Sequence, residues 1–574
     1  MGTGAYWFSA LTASLSPFLH HGQYRGPADE VLAAAVPSGG VPGGGGASPG
    51  GFSGGLADPA TAIEGFNRWE FWFEWNKDIL LRAREARRAQ MPSVREDETV
   101  RVDPALARRE IAPVLREACG SSDPHLVRTA LLALGKTGGL EGVPLILEAL
   151  RTGSPETRRI AAMSLGLCGE RGALLHLVDL FGDRTAPADL RAAAALGMGL
   201  QGRRESSPIL QNYLHKSLNA PNAGGDERDV LLGALAAVGM LQDTSFVPLL
   251  VGRHRDLLEE KRSRARIVLG SILTTLGRLR DSAALSTLLE ALGEKDIELR
   301  RSAALALGDL GDPGAAAALA SALAQDPDLQ VRGFAAISLG RIGGETAIFA
   351  LRSAYSAKGV SRTVRSYAAL GLGLAGDRGS AGELRRALAM PGEENLRGAF
   401  AIALGFLGDS GSAETLFKIV ENRGADPDLR GYAAIALGMI RPDGGLPRLL
   451  RAQREDRERI EDFRRGLLLG IGLFGESAGT SAVLGALVEE RSDVARGAAA
   501  CALNLIRDRA AVKPLAEFLI GPDVSGAPSD SGIFACAALG SLGDAHTYPL
   551  ISEAFFNANY RIRVSLFEEL AELL

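Results

Sequence analysis

The sequence predicts an all-α fold: an α-α superhelix of about 13–14 helix–turn–helix repeats spanning residues 93–574, preceded by a disordered Gly-rich N-terminal tract. Three observations predict it. A Leu-Gly-x-x-Gly block recurs along the chain, as in "LALGDLGD" (305–312), "ISLGRIGG" (337–344), "IALGFLGD" (402–409) and "AALGSLGD" (537–544). Its first Gly, replaced by Asn in one copy, falls at Gly135, Gly166, Gly197, Gly239, Gly277, Gly308, Gly340, Gly373, Gly405, Gly438, Gly472, Asn504 and Gly540. Most of these anchors stand 31–34 residues apart, with longer intervals before Gly239, Gly277 and Gly540. Third, the residues at fixed distances from each anchor are the types a packed helix needs at its ends and on its buried side.

The elements follow in order. Twelve residues before the anchor stands an N-cap type: Asp123, Ser154, Thr185, Asp296, Asp328, Ser361, Asp426 or Ser492. The side-chain oxygen of such a residue accepts from a first-turn N–H that has no partner within the helix. Pro124, Pro155 and Pro427 come next, at a position where a missing N–H costs nothing. Arginine recurs eight residues before the anchor, small pairs such as Ala303/Ala304 and Ala433/Ala434 fill positions −5 and −4, and position −1 is aliphatic. The helix runs about fourteen residues and stops near +3, where Gly311, Gly343, Gly376, Gly408, Gly475 and Gly543 suit a left-handed terminal residue. Asp312, Asp377, Asp409 and Asp544 then stand ready to cap the next helix. A Gly inside a helix costs about 1 kcal/mol against Ala, so its recurrence implies that close helix–helix approach outweighs the penalty. No single unit buries its own apolar stripe, and the units must therefore stack.

The pattern D/S-x-x-x-R-x-x-A-A-x-x-L-G-x-x-G-D resembles the short HEAT-like repeat of the phycobilisome-lyase type, over roughly residues 104–574. The resemblance implies an α-solenoid and leaves several activities open, because such repeats serve many roles. Deoxyhypusine hydroxylases, which are similar HEAT-like enzymes, bind two irons through repeated His-Glu pairs. Here none of the seven histidines (His20, His21, His125, His176, His215, His254, His546) is followed by Glu, which argues against that activity. Bilin lyase subunits share the repeat, but no chromophore pocket is identifiable from the residues.

Composition narrows the classes further. The 574 residues carry 63 basic and 68 acidic side chains, a formal net charge of −5, which opposes a nucleic-acid binder. Cys119, Cys168, Cys501 and Cys536 are scattered, with no CxxC pair, and read as small core residues. No apolar run reaches the ~18–20 residues of a transmembrane helix. The first twenty residues are apolar but carry no Lys or Arg before Arg25, a poor secretory signal as written. "VLAAAV" (31–36) with the tract behind it suits an exported N-terminus, so cytoplasmic and exported placements stay equally open. Residues 37–55, "PSGGVPGGGGASPGGFSGG", have almost nothing to bury against a backbone ordering cost of ~1–2 kcal/mol per residue, and read as a flexible tether. The organisation is therefore a tract at 1–60, an aromatic-rich helix at 61–92 and the array at 93–574.

The aromatic helix contains "NRWEFWFEWNKD" (67–78), which holds three of the four tryptophans. Phe66, Trp69 and Phe73 form one face with Leu80, and Trp72 and Trp75 extend it. An open solenoid has a bare hydrophobic end, so capping the first repeat is the leading role for Phe66, Trp69, Trp72, Phe73 and Trp75. Docking of a partner and anchoring at a membrane interface are the alternatives.

Candidate sites are few. Arg158, Arg300, Arg332, Arg365, Arg397, Arg430, Arg464 and Arg496 form a ladder at position −8, expected to pair with the capping carboxylates between repeats; a free anion-binding row is the alternative. "RHRDLLEEKRSRAR" (253–266) is a modest basic patch, and "RAQREDRERIEDFRR" (451–465) alternates in sign like a solvated helix. No phosphate loop, GxSxG, HExxH or Cys/His dyad is present, so no catalytic, cofactor or metal residue is assigned. The sequence thus points to a non-enzymatic scaffold with protein partners. The competing class is a lyase-type enzyme or enzyme-assembly subunit, which a concave pocket joining His254 to clustered arginines would favour.

Overall fold

The computed structural model describes Trp69, Trp72, Phe73, Asn76 and Leu80, and then residues 102–137, 139, 141–219, 225–259, 266–520 and 529–544. The tract 1–60, Phe66, Trp75 and residues 260–265 of the basic patch lie outside the described residues.

Every anchor falls in a helix. These helices are Pro124–Thr137, Pro155–Leu167, Ala188–Gln201, Gly225–Leu241, Arg266–Leu279, Ile297–Leu310, Leu329–Ile342, Arg362–Leu374, Glu394–Leu407, Pro427–Ile440, Glu461–Phe474, Asp493–Ile506 and Ser529–Leu542, and they define repeats 1 to 13. Their starts follow the expected capping chemistry. Ser154 accepts from the Thr157 N–H, Asp328 from Val331, Ser361 from Val364, Asp426 from Leu429 and Ser492 from Ala495. Thr185 departs from the expectation: its helix starts only at Ala188, and its hydroxyl donates to Asp183. At the other end, Gly311, Gly343, Gly376, Gly408 and Gly475 adopt φ between 66° and 73°. Where the sequence lacks Gly at +3, Gln242, Arg280, Arg441 and Arg507 are held at φ 51° to 56°, so repeat geometry overrides local preference. A short 3₁₀ turn follows, capped by Asp243, Asp281, Asp312, Asp377 or Asp508. It leads into a second helix, such as Leu285–Leu292 or Ala413–Glu421.

The two helices of a repeat lie in different layers. Each anchor helix packs along its whole length against the anchor helices before and after it, whereas the second helices touch mainly their own anchor helix. The glycines set this spacing. A Cβ at Gly277 would lie 2.8 Å from Ala306 Cα, at Gly373 2.9 Å from Ala403 Cα, and at Gly472 2.6 Å from Ala502 Cα. In each case the anchor meets the residue two positions before the next anchor. Helices that approach this closely take the shorter arc of a curved stack, so the anchor helices form the inner layer and the second helices the outer one.

The same contact is made once more at the far end of the chain. A Cβ at Gly540 would lie 2.7 Å from Ala133 Cα, again two positions before an anchor, that of repeat 1. Repeat 13 therefore packs on repeat 1 as any repeat packs on the next. Outer helices meet there as well, Val512–Ile520 against Ala112–Ala118. The Val102 N–H donates to the Arg507 carbonyl at 3.3 Å, Arg509 pairs with Glu110 at 3.2 Å, and Gly543 packs on Thr137, Ala107 and Ile111. The solenoid is closed into a ring.

Closure corrects one expectation. The bare first repeat that called for an aromatic lid is covered by repeat 13. Trp69 and Phe73 do not cap repeat 1; they lie against repeats 9 and 10, where the Trp69 indole donates to the Asn395 carbonyl, 326 residues along the chain. Sequence periodicity specified the stacking of neighbours but not the curvature that brings the two ends together.

Candidate functional site

An inner-layer helix has neighbours on two sides and its outer helix on a third. The fourth side faces the ring axis, and on repeats 9 and 10 it carries Gly398, Phe406 and Tyr432. The aromatic segment sits on this side. Trp69 Nε1 donates to Asn395 O at 3.0 Å, and its ring lies 4.9 Å from Tyr432. Phe73 stands one turn further on, 6.0 Å from Tyr432 and 6.4 Å from Phe406, both edge-on. Gly398 makes the cleft: a Cβ there would lie 3.1 Å from Trp69 Cζ2 and 3.0 Å from Tyr432 Cδ2. Asn76 donates back to the Trp72 carbonyl four residues earlier, and Trp69, Trp72, Phe73 and Asn76 are helical and buried. Burying three large aromatics at ~150–250 Å² each and ~25 cal/mol per Å² yields about 15 kcal/mol.

The arginine ladder does something the spacing did not announce. All eight residues donate to main-chain carbonyls at or just past the end of the preceding outer helix: Arg158 to Leu150, Arg300 to Glu294 and Lys295, Arg332 to Leu323, Arg365 to Ala357, Arg397 to Leu388, Arg430 to Val420, Arg464 to Gln453 and Arg496 to Glu490. The last carbonyls of a helix have no N–H partner and carry its negative dipole end, which a guanidinium satisfies on both counts. The expected pairing with N-cap carboxylates is made instead by arginines one position later. Arg301 grips Asp328 at 3.0 and 2.8 Å, and Arg159 meets Asp189 in the first turn of the next helix at 2.6 Å. Burial acts upward on the Asp328 carboxyl, but Arg301 and the Val331 N–H hold it below the usual range. Ladder members with a carboxylate of their own include Arg300, on Asp326 at 2.8 and 3.2 Å, and Arg464, on Glu490. The signal for carbonyl capping was present in the sequence as the fixed position of Arg just after each outer helix; it required the layer assignment to be read.

The charged stretch 451–465 is less solvated than its alternation implied. Arg464 and Arg465 are buried, and Arg464 lies between Glu490 and Asp456, the latter at 3.8 Å. Burial pushes the Asp456 carboxyl above its ordinary range in spite of Arg464 and Arg430 nearby. Arg430 lies 3.6 Å over the Phe463 ring, and burial pulls its guanidinium down from its usual value.

His254 belongs to the outer helix Val247–Glu259, away from the inner face, and the next inner helix, Arg266–Leu279, contributes no ladder arginine. Only 2% of it is exposed, and among the described residues its Nε2 has no hydrogen-bond partner. Burial drives its pKa from 6.5 down to about 4. The unfolded chain thus takes up the proton first, so stability is intact above about pH 6.5 and falls as the pH drops towards 4. The loss through this group should reach about 3 kcal/mol, and His254→Phe should flatten that part of a urea-unfolding profile measured from pH 7 to 4.5. Equal slopes in both proteins would show that the imidazole is not buried in the neutral form.

The cysteines are free; burial pushes Cys119 and Cys168 up to about 12, far from a reactive thiolate. Among the described residues no group of three or more His, Cys, Asp or Glu is placed to hold a metal, and no helix is long and apolar enough to cross a membrane.

Comparison with known proteins identifies the repeat in part of the chain. The family model for HEAT repeats matches residues 92–166, 112–196 and 255–340. A curated relative, phycocyanobilin lyase subunit alpha of Picosynechococcus sp., is 28% identical over 202 residues. That match covers 35% of this chain and 62% of the relative's length. Among solved structures, the complex of CpcE and CpcF of phycocyanin lyase from Nostoc sp. is 22% identical over 46% of this chain and 96% of that one, with a TM-score of 0.28. Yeast importin-beta is 13% identical over 73% of this chain and 66% of that one, with a TM-score of 0.36. The chain thus carries HEAT repeats at residues 92–196 and 255–340, and in sequence it is similar to a phycobilin lyase subunit whose length it spans to 62%.

Proposed function

We propose that the chain is a non-enzymatic scaffold that binds protein partners on the inner face of its repeat ring. One observation carries this reading: the inner face of repeats 9 and 10 already holds a helical segment from outside the array, through Trp69, Phe73, Tyr432 and the Asn395 carbonyl. A surface that seats one amphipathic helix has the shape and chemistry of a helix-in-groove recognition site. The use of the ladder arginines on main-chain carbonyls supports it too, since that charge is committed to holding the layers together.

A second reading is favoured by the relative named as a phycocyanobilin lyase subunit: an enzyme or enzyme-assembly subunit of that type. The placement of His254 on an outer helix gives it no support. A photo-reactive residue in place of Phe406, on the inner face, and another in place of Phe349, 75% exposed on an outer helix, separate the readings. The scaffold requires a discrete protein crosslinked from position 406 and not from 349 in the native cell. No protein crosslinked from the inner face, or a covalent bilin adduct formed on an acceptor when the chain is mixed with phycocyanobilin, would reject it.

A further inference from the structure

We propose that the inner-face groove of repeats 9 and 10 recognises a partner-protein helix bearing Trp and Phe four residues apart, and that residues 69–80 of this chain are its internal competitor. The inference rests on the scaffold reading and names the chemistry of its partner. The groove is specific in three ways. Gly398 leaves room for an indole that any side chain would fill, with a Cβ only 3.1 Å from Trp69 Cζ2. The Asn395 carbonyl, 3.0 Å from Trp69 Nε1, asks for an N–H donor that Phe or Leu does not supply. Tyr432 and Phe406 then fix a second aromatic one turn away, at 6.0 and 6.4 Å from Phe73.

The occupant differs from the groove in how it is held. Gly398, Phe406 and Tyr432 belong to inner helices clamped on both sides by neighbouring repeats. In sequence the segment is linked to the first repeat through residues 81–101, "LRAREARRAQMPSVREDETVR". A covalently linked helix competes at an effective concentration set by its linkage, so an external helix displaces it once its own affinity and concentration exceed that level. Such an arrangement keeps an apolar groove covered until a stronger helix arrives.

The test uses the full chain and a fluorescein-labelled peptide of the native sequence 66–80, FNRWEFWFEWNKDIL. In fluorescence anisotropy the double variant Trp69→Ala/Phe73→Ala should bind this probe at least tenfold more tightly than the unaltered protein. Adding Gly398→Leu should lower that affinity at least tenfold, and a probe with Ala at both aromatic positions should not compete. Binding that ignores Gly398→Leu, or no binding to a double variant with unchanged circular dichroism, overturns the proposal. Should the double variant fail to fold, hydrogen–deuterium exchange on the unaltered chain decides. Excess probe must then speed exchange of residues 69–80, and unchanged exchange counts against displacement. Failure here with a protein still crosslinked from position 406 would sink the competitor and leave the scaffold; failure of both would remove the scaffold as well.

Discussion

Gly466→Val should destabilise the protein by about 3 kcal/mol or more and lower its melting temperature sharply. A Cβ at Gly466 would fall 2.3 Å from Gly431 Cα, 2.5 Å from its carbonyl carbon and 2.6 Å from its oxygen. These are backbone atoms and have no rotamer by which to escape. The inner helices Pro427–Ile440 and Glu461–Phe474 would have to separate, and with them the Arg465–Asp428 contact at 3.3 Å. Gly252 is the control. It lies inside the outer helix Val247–Glu259 with nothing within 4 Å of a Cβ, so Gly252→Ala should stabilise by about 0.5–1 kcal/mol. Equal effects at the two sites, read by urea unfolding, would refute the distinction between inner and outer layers. Gly540→Val applies the same clash at the junction of repeats 13 and 1, where the ring can open instead of straining. The expected sign there is a larger radius of gyration in solution scattering.

Glu490→Leu should cost about 3 kcal/mol, because it strands a guanidinium in the interior. The Arg464 side chain is 6% exposed and that of Glu490 3%, so water cannot replace the lost carboxylate. Asp456, 3.8 Å from Arg464, offsets part of the loss. Removing both charges in Arg464→Met/Glu490→Leu should restore most of the stability, since a buried pair is little better than a packed apolar one. The loss in the single variant should also persist in high salt, which screens exposed pairs and not buried ones. A loss that vanishes in salt, or a double variant as weak as the single one, would place the pair at the surface.

Much of the fold was legible because the repeat states its own rules thirteen times. Caps such as Ser154, Asp328 and Asp426 lie where their spacing placed them, and Gly311, Gly408 and Gly475 end their helices in the left-handed conformation. The exceptions have local causes. Thr185 loses its cap because Pro187 takes the boundary two residues later. Arg441 and Arg507 occupy a glycine's conformation because the turn is imposed by the helices on either side. The partners of the ladder arginines were hidden, since spacing gives a residue's place on a helix and not which neighbouring layer supplies its acceptor.

The sequence by itself determined the repeat, its helix boundaries and the close approach of successive inner helices, because caps, glycines and alanines act within one unit or between adjacent ones. It also singled out Phe66, Trp69, Trp72, Phe73 and Trp75 as a cap or docking cluster. Only the tertiary structure decided where. Curvature is a small angle added at each of thirteen junctions, and only their sum brings Gly540 onto Ala133 and closes the stack. With no bare end to cover, Trp69, read as part of a lid, is buried instead on repeats 9 and 10 against the Asn395 carbonyl and Tyr432.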